Sequence, residues 1–369
     1  MNRAAQERLR LHRRVRGFIE ESARGGETSD DFETLACAIA CYQADHVPAY
    51  ARLLAAERVH PRSVTSVRAL PAVPTDAFRL ARIAAHAPSD DAAIFRTSGT
   101  TGAARGEHPL STTETYECAA LAWGRWALFF DAPPALTAIT LGAGPGDSSL
   151  GFMLGLFADR FAVRAHRTTA VRGAPIDGAD LAAVCDAASR ADAPVIVMGT
   201  SFAFVHALDA LGGARFTLPP GSRAMHTGGY KGRSREVAPD ALRMDIAATF
   251  GLDTDAVVGE YGMTELSSQL YEGTLRARRG LSAPSSQHGF FVPPPWLRVV
   301  ATDPDTLEPL GPSEPGILRF EDLANVDSAI AVQTADLGRC SGGAVELLGR
   351  APGAPPRGCS LAIEELLAP

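Results

Sequence analysis

Between residues 135 and 211 the chain passes twice from a short apolar run into a helix-length stretch, and this alternation restricts the fold more than any other feature of the sequence. A strand over 135–142 leads through the turn Gly144-Pro145-Gly146-Asp147 into a helical stretch from Leu150 to Phe161. Pro194-Val195-Ile196-Val197-Met198 then precedes Phe202 to Leu211, whose apolar residues at 202, 205, 208 and 211 fit one helix face. Repeated strand, loop and helix imply an α/β fold, a sheet with helices on its faces.

The remainder of the chain can be arranged around that core. Residues 30–57 read as one long helix or a helix pair, with Ser29 and Asp30 able to cap its start and Pro48 interrupting its second half. The proline-rich run from Ala69 to Pro74 is extended chain. Ala92 to Phe95 is a short apolar run, and residues 111–130 read as a helix carrying Trp123, Trp126 and Phe130. After residue 280, Trp296-Leu297-Arg298-Val299-Val300, the turn Asp303-Pro304-Asp305 and Gly316-Ile317-Leu318-Arg319-Phe320 read as short strands in a small β-rich lobe. The expected division is an α/β core with an N-terminal helical segment over 1–280, a β-rich lobe over 281–348, and a C-terminal segment over 349–369.

Composition narrows the function. The chain has 369 residues and a net charge of −7, which argues against a general nucleic-acid surface with its clustered cations. Six arginines between Arg3 and Arg16 read as a solvated surface helix and not as a targeting signal, because no apolar stretch accompanies them. With no window apolar enough to span a bilayer, a soluble, cytoplasmic protein with no membrane partner is expected. Six cysteines in so long a chain do not make a disulfide framework, and Cys37 and Cys41, one helical turn apart, read as buried thiols ahead of a metal pair.

Two short stretches carry the chemistry. Thr97-Ser98-Gly99-Thr100-Thr101-Gly102, followed by Arg105-Gly106, concentrates hydroxyls and glycines that bury little apolar area but suit polyphosphate, since successive N–H groups and rotatable hydroxyls can turn toward an anion. Taken alone it can also be read as an ordinary surface loop, and it lacks the Walker spacing. Tyr261-Gly262-Met263-Thr264-Glu265 adds an aromatic able to stack on a base, a hydroxyl, and a carboxylate able to hold Mg²⁺.

Residues 97–106 resemble the phosphate-loop motif of the adenylate-forming superfamily of acyl-CoA synthetases, peptide-synthetase adenylation domains and luciferases. Tyr261 to Glu265 resembles its Y-G-x-T-E motif, Thr334-Ala335-Asp336-Leu337-Gly338 its T-G-D-L-G motif, and Gly349-Arg350 through Arg357-Gly358 its hinge. The LuxE-type acyl-protein synthetases are a closer match. Pro71 to Phe78, Thr227-Gly228-Gly229-Tyr230-Lys231, Phe320-Glu321-Asp322-Leu323-Ala324-Asn325 and Leu347 to Ala362 are similar to that family's pattern, over nearly the whole chain from about residue 30.

The resemblance implies an adenylate-forming large N-terminal domain with helix-flanked mixed β-sheets and a small β-rich lobe, and it implies roles. Thr97, Ser98, Thr100, Thr101 and the backbone from Gly99 to Gly102 would hold the β- and γ-phosphates of ATP, with Arg105 in the place of a common lysine. Gly228 and Gly229 would line the adenine, and Tyr261, followed by Gly262, would stack on it. Thr264 would contact the α-phosphate, Glu265 would ligate Mg²⁺, and Asp336 would accept from the ribose hydroxyls with Arg350 nearby. The superfamily's mobile C-terminal domain and its lysine have no counterpart before Pro369, so Arg105 and Lys231, or a partner, would compensate. Cys359 matches the position at which this family is thought to take the acyl group as a thioester before passing it to a reductase subunit of the LuxC type.

The expected activity is therefore a ligase that activates a carboxylic acid with ATP and Mg²⁺, releases pyrophosphate, and transfers the acyl group to a thiol. That thiol is Cys359, a carrier protein or CoA. Two alternatives stay open, an aryl-acid or phenylacetate-type CoA ligase and a non-catalytic nucleotide-binding scaffold. Trp123, Trp126, Phe152, Phe202 and Phe204 are candidates for an acyl pocket, although such rings are commonly core.

Overall fold

The alternation forms as expected in the computed structural model of the chain. Strand Thr137–Leu141 is followed by helix Ser149–Phe161, and strand Val195–Thr200 by helix Ser201–Leu211. The structure describes residues 2–97, 104–131, 135–142, 146–162, 164–168, 176–228, 237–351, 362–363 and 365–367, apart from the side chains of 167 and 168. Ser98, Gly99, Thr100, Thr101, Gly102, Gly229, Lys231 and Cys359 lie outside the described residues. The fold is mixed α/β and consists of two units interleaved in sequence. One comprises Met1–Trp123, Met263–Gln269 and Pro293–Pro369, the other Gly124–Gly262 and Leu270–Val292.

In the second unit, parallel strands run in the order Arg164–Thr168, Thr137–Leu141, Val195–Thr200, Arg223–Thr227 and Val257–Tyr261. Leu270–Glu272 and Phe290–Val292 continue the sheet antiparallel. Helices Ser149–Phe161, Gly178–Ser189, Ser201–Leu211 and Pro239–Phe250 connect the parallel strands. The central strand Val195–Thr200 is apolar and buried from Val195 to Met198, as a strand covered on both faces is, whereas the edge strand Arg164–Thr168 is largely polar and exposed over 164–166. Local chemistry sets the helix ends. Thr200 Oγ1 accepts from the Ala203 N–H at 2.9 Å, and Gly212 and Gly251 end two helices in the left-handed conformation at φ 58° and 64°.

The buried face of Ser201–Leu211 follows the predicted one except at its start. Val205 and Leu211 enter the core beside Leu242, Ile246 and Phe250, with Leu208 packed against it, whereas Phe202 is exposed and lies on His206 at 4.3 Å. Phe204 and Ala207 are buried as well, so the apolar face is wider than the predicted stripe.

In the first unit, strands Leu297–Thr302, Gly316–Asp322, Ala331–Ser341 and Ala344–Arg350 form an antiparallel sheet in that order, joined by Val73–Pro74 parallel to Val332–Gln333. A separate hairpin pairs Ala93–Arg96 with Glu107–Leu110. Helices Phe32–His46 and Pro48–Ala56 form the predicted pair, broken at the buried Val47. The N-terminal helix Arg3–Ala23 is less solvated than expected. Its arginines share it with a buried seam of Leu11, His12, Val15, Phe18 and Ile19, and His12 is tolerated inside because both ring nitrogens are hydrogen-bonded. No helix among the described residues is long and apolar enough to cross a membrane.

Candidate functional site

The hairpin Ala93–Arg96/Glu107–Leu110 brings the two ends of the hydroxyl-rich loop together. Thr97 N–H donates to Gly106 O at 3.0 Å, and Gly106 N–H donates to Thr97 Oγ1 at 2.9 Å. Arg105 closes the neck from the side, its Nε donating to Thr97 O at 2.6 Å and its Nη2 to Arg96 O at 3.1 Å. Gly106 is closely packed there, since a Cβ would lie 3.1 Å from Thr97 Cγ2 and 3.3 Å from Arg79 Cγ and those side chains would have to give by a few tenths of an ångström. Thr97 and Arg105 thus hold together the two described ends that flank the remaining candidate phosphate contacts in sequence.

Two residues past Gly106, His108 reaches Thr264. Its Nδ1 lies 2.7 Å from Thr264 O, and its Nε2 lies 2.8 Å from Ser328 Oγ. Burial pushes the imidazole down to about 4, so the ring is neutral near pH 7. A carbonyl only accepts, which puts the proton on Nδ1 and makes Ser328 the donor to Nε2. Glu265, next in sequence, is 7% exposed, and Asn325 Nδ2 donates to its backbone carbonyl at 2.9 Å. The following turn is held as tightly, since Ser267 N–H donates to Asn325 Oδ1 at 2.9 Å and to Asp322 Oδ2 at 3.1 Å. Burial drives the Asp322 carboxyl up to about 6, against hydrogen bonds from Ser268 and from backbone N–H groups.

Asp327 anchors the same neighbourhood. It accepts from Ser111 N–H at 2.7 Å and from Ser111 Oγ at 2.9 Å, and His12 Nε2 lies 3.1 Å from its Oδ1. Burial alone would raise this carboxyl, but the hydrogen bond and charge of His12, the nearby His86 and the Ser111 N–H hold it at about 2. Asp336 and Arg350 face each other across strands Ala331–Ser341 and Ala344–Arg350, with Arg350 Nε 3.8 Å from Asp336 Oδ1. This first unit therefore gathers Thr264 and Glu265 with the neck of the loop, and pairs Asp336 with Arg350.

In the second unit, the carboxyl ends of adjacent parallel strands bring Thr227 opposite Glu260 in register, with Gly228 and Tyr261 following them. The carboxyl ends of parallel strands are where α/β sheets hold ligands. Gly228 has φ 79°, a conformation that glycine adopts without strain. Tyr261 sits beside Phe291 at 6.1 Å, and Gly262 is exposed. Glu260 is buried and takes a hydrogen bond from the Thr227 hydroxyl. Burial raises its carboxyl to about 7, with the Thr227 bond opposing.

Several sequence candidates turn out to be engaged in packing. Trp123 is edge-on to Trp296 at 5.9 Å, Trp126 lies under the Arg276 guanidinium at 4.8 Å, and Phe204 is in the core. Cys340 is partly buried with its thiol pushed up, the opposite of an activated nucleophile. Sequence reasoning did not single out His108, Asn325, Asp327 or Ser328. The signal available for three of them was their place in or just after Phe320 to Asn325, and for His108 its spacing from Arg105-Gly106.

The profile of the family described as acyl-protein synthetase, LuxE, matches residues 152–368 of this chain. None of the curated proteins matches it. Among solved structures, 2-hydroxyisobutyryl-CoA ligase in complex with 2-HIB-AMP matches at TM-score 0.65 and 16% identity, over 86% of this chain and 67% of that one. The same ligase in complex with 2-HIB-AMP and CoA matches at TM-score 0.63 and 15% identity, over 86% and 74%. ATP-bound MatB from Rhodopseudomonas palustris matches at TM-score 0.50 and 19% identity, over 72% and 49%. At these identities the likeness is one of fold, and this chain spans between about half and three quarters of the length of those relatives.

Proposed function

This chain belongs to the LuxE acyl-protein synthetase family, and from that membership we propose that it activates a carboxylic acid with ATP to an acyl-adenylate and passes the acyl group to a thiol. A carboxylate oxygen of the substrate attacks the α-phosphorus, the bond from that phosphorus to the bridging oxygen breaks, and pyrophosphate leaves with the electron pair. A thiolate then attacks the acyl carbonyl, and AMP departs. Both reactants of the first step are anions, so fixed donors and positive charge must offset their repulsion.

The observation that carries this reading is the way the first unit fixes Thr264 and Glu265. One backbone carbonyl is held by His108, on the hairpin that closes the neck of the hydroxyl-rich loop, and the next by Asn325, just after strand Gly316–Asp322. Thr264 is then the contact to the α-phosphate, and Thr97 to Gly102 with Arg105 are the cradle of the β- and γ-phosphates. Asp336 accepts from the ribose, with Arg350 beside it. Gly228, Gly229 and Tyr261 take the adenine, and Lys231 supplies a cation.

Glu265 suits Mg²⁺, because a nucleotide-bound Mg²⁺ needs only one or two protein carboxylates besides phosphate oxygens and water. When bound, the ion neutralises charge on the phosphoryl oxygens. The thiol is Cys359, with a LuxC-type reductase, a carrier protein or CoA as further acceptor. The neighbouring 2-hydroxyisobutyryl-CoA ligase, which binds both an acyl-AMP and CoA, makes direct transfer to CoA the second reading.

One incubation tests both halves. Protein with ATP, Mg²⁺ and a panel of fatty, aryl and amino acids is quenched and analysed by mass. The expected products are acyl-AMP with released pyrophosphate, reduced at least a hundredfold in Glu265→Gln, and a thioester on the protein that is absent in Cys359→Ser. Phosphate and ADP in place of pyrophosphate and acyl-AMP would refute the first half. An adduct that survives Cys359→Ser would refute the second.

A further inference from the structure

Resting on the adenylation reading, we propose that His108 is a positioning residue that fixes Thr264 through one tautomer of its ring and thereby couples the phosphate-loop hairpin to the Thr264-Glu265 turn. The ring cannot choose another arrangement. The carbonyl of Thr264 at 2.7 Å requires a proton on Nδ1, and the Ser328 hydroxyl at 2.8 Å can satisfy Nε2 only as a donor. The imidazole is 1% exposed and is braced edge-on by Phe78 at 5.9 Å and 76°, while Phe95 opposes it in the hairpin register. No rotation of the side chain preserves both hydrogen bonds.

The position of this contact gives it its consequence. His108 is on the strand that leaves the neck of the loop, two residues after Gly106, so a shift of the hairpin is transmitted to the Thr264 carbonyl. The turn itself is held from the other side by Asn325, through Glu265 O and Ser267 N–H. The side chain of Thr264 is thus aimed by a backbone clamped at two successive carbonyls. Small displacements of aligned groups cost large factors in rate when a reaction depends on orientation. His108 touches neither nucleotide nor acid in this account, and its effect appears in turnover rather than in affinity for the acid.

The test exploits the two ring nitrogens. Asparagine at this position places its amide N–H near the place of Nδ1, whereas glutamine places its amide near Nε2. In acid-dependent ATP–pyrophosphate exchange, His108→Ala and His108→Gln are expected to lose about tenfold or more in kcat with the KM for the acid within twofold of wild type. His108→Asn is expected to recover most of that loss, with melting temperatures of Asn and Gln variants alike. Three results overturn the proposal: wild-type kcat in His108→Ala, equal defects in folded Asn and Gln variants, or unfolding of both. An inactive wild type would instead refute the adenylation reading, so the two failures are distinguishable.

Discussion

Glu260 sits near the end of strand Val257–Tyr261, buried, with the Thr227 hydroxyl as its hydrogen-bond donor. Burial lifts its carboxyl from the ordinary 4.5 to about 7, with Thr227 opposing, so the fold prefers the protonated form. The contribution to stability is complete below the unfolded value and is lost as pH rises through about 7, by at most about 3 kcal/mol. The thermal midpoint of wild type should therefore fall between pH 5 and 8 more steeply than that of Glu260→Gln, which keeps the shape and cannot titrate. Parallel curves for the two proteins would contradict this. At this scale the sequence names candidates where a motif displays their chemistry, such as Glu265 and Asp336, whose roles are proposals. It was silent on Glu260 and His108, because burial and the identity of a partner 33 or 156 residues away decide what such groups do.

Elements were legible where propensity and period agree, and mistaken where tertiary contacts choose. The 111–130 stretch forms the helix Glu114–Ala127, and the proline at 48 splits the preceding helix as its missing N–H requires. The basic N-terminal helix instead has a buried seam, since a run of arginines says nothing of the residues between them, and His12 is committed to Asp327, 315 positions away. Gly124, within Glu114–Ala127, shows how contact overrides propensity. A glycine in an exposed helix interior costs about 1 kcal/mol relative to alanine, so Gly124→Ala would ordinarily stabilise. Here a Cβ would lie 2.5 Å from Phe157 Cζ, on a ring that is 1% exposed and wedged against Phe129 at 5.4 Å. Gly124→Ala is expected to destabilise by about 1–3 kcal/mol, read as a lower urea midpoint. A midpoint unchanged or raised would show that the ring can move aside.

At the scale of the whole molecule, the α/β class and the family were both readable, because strand, loop and helix alternate along the sequence and the motifs occur in a fixed order. The interleaving of the two units was not. The segment Met263–Gln269 lies within one unit while the strands that flank it, Val257–Tyr261 and Leu270–Glu272, lie in the other, and no local pattern announces such a crossing. Thr264 and Glu265 belong to that segment of the first unit, on a turn clamped by His108, Asn325 and Asp322. The acid is the remaining unknown, since the rings proposed for its pocket are mostly occupied in packing. ATP–pyrophosphate exchange, measured with wild-type protein over fatty, aryl and amino acids, decides whether this chain forms an acyl-adenylate. Exchange is expected to depend on both Mg²⁺ and one class of acid and to disappear in Glu265→Gln. Bound ATP without exchange for any acid would contradict this and leave a nucleotide-binding scaffold.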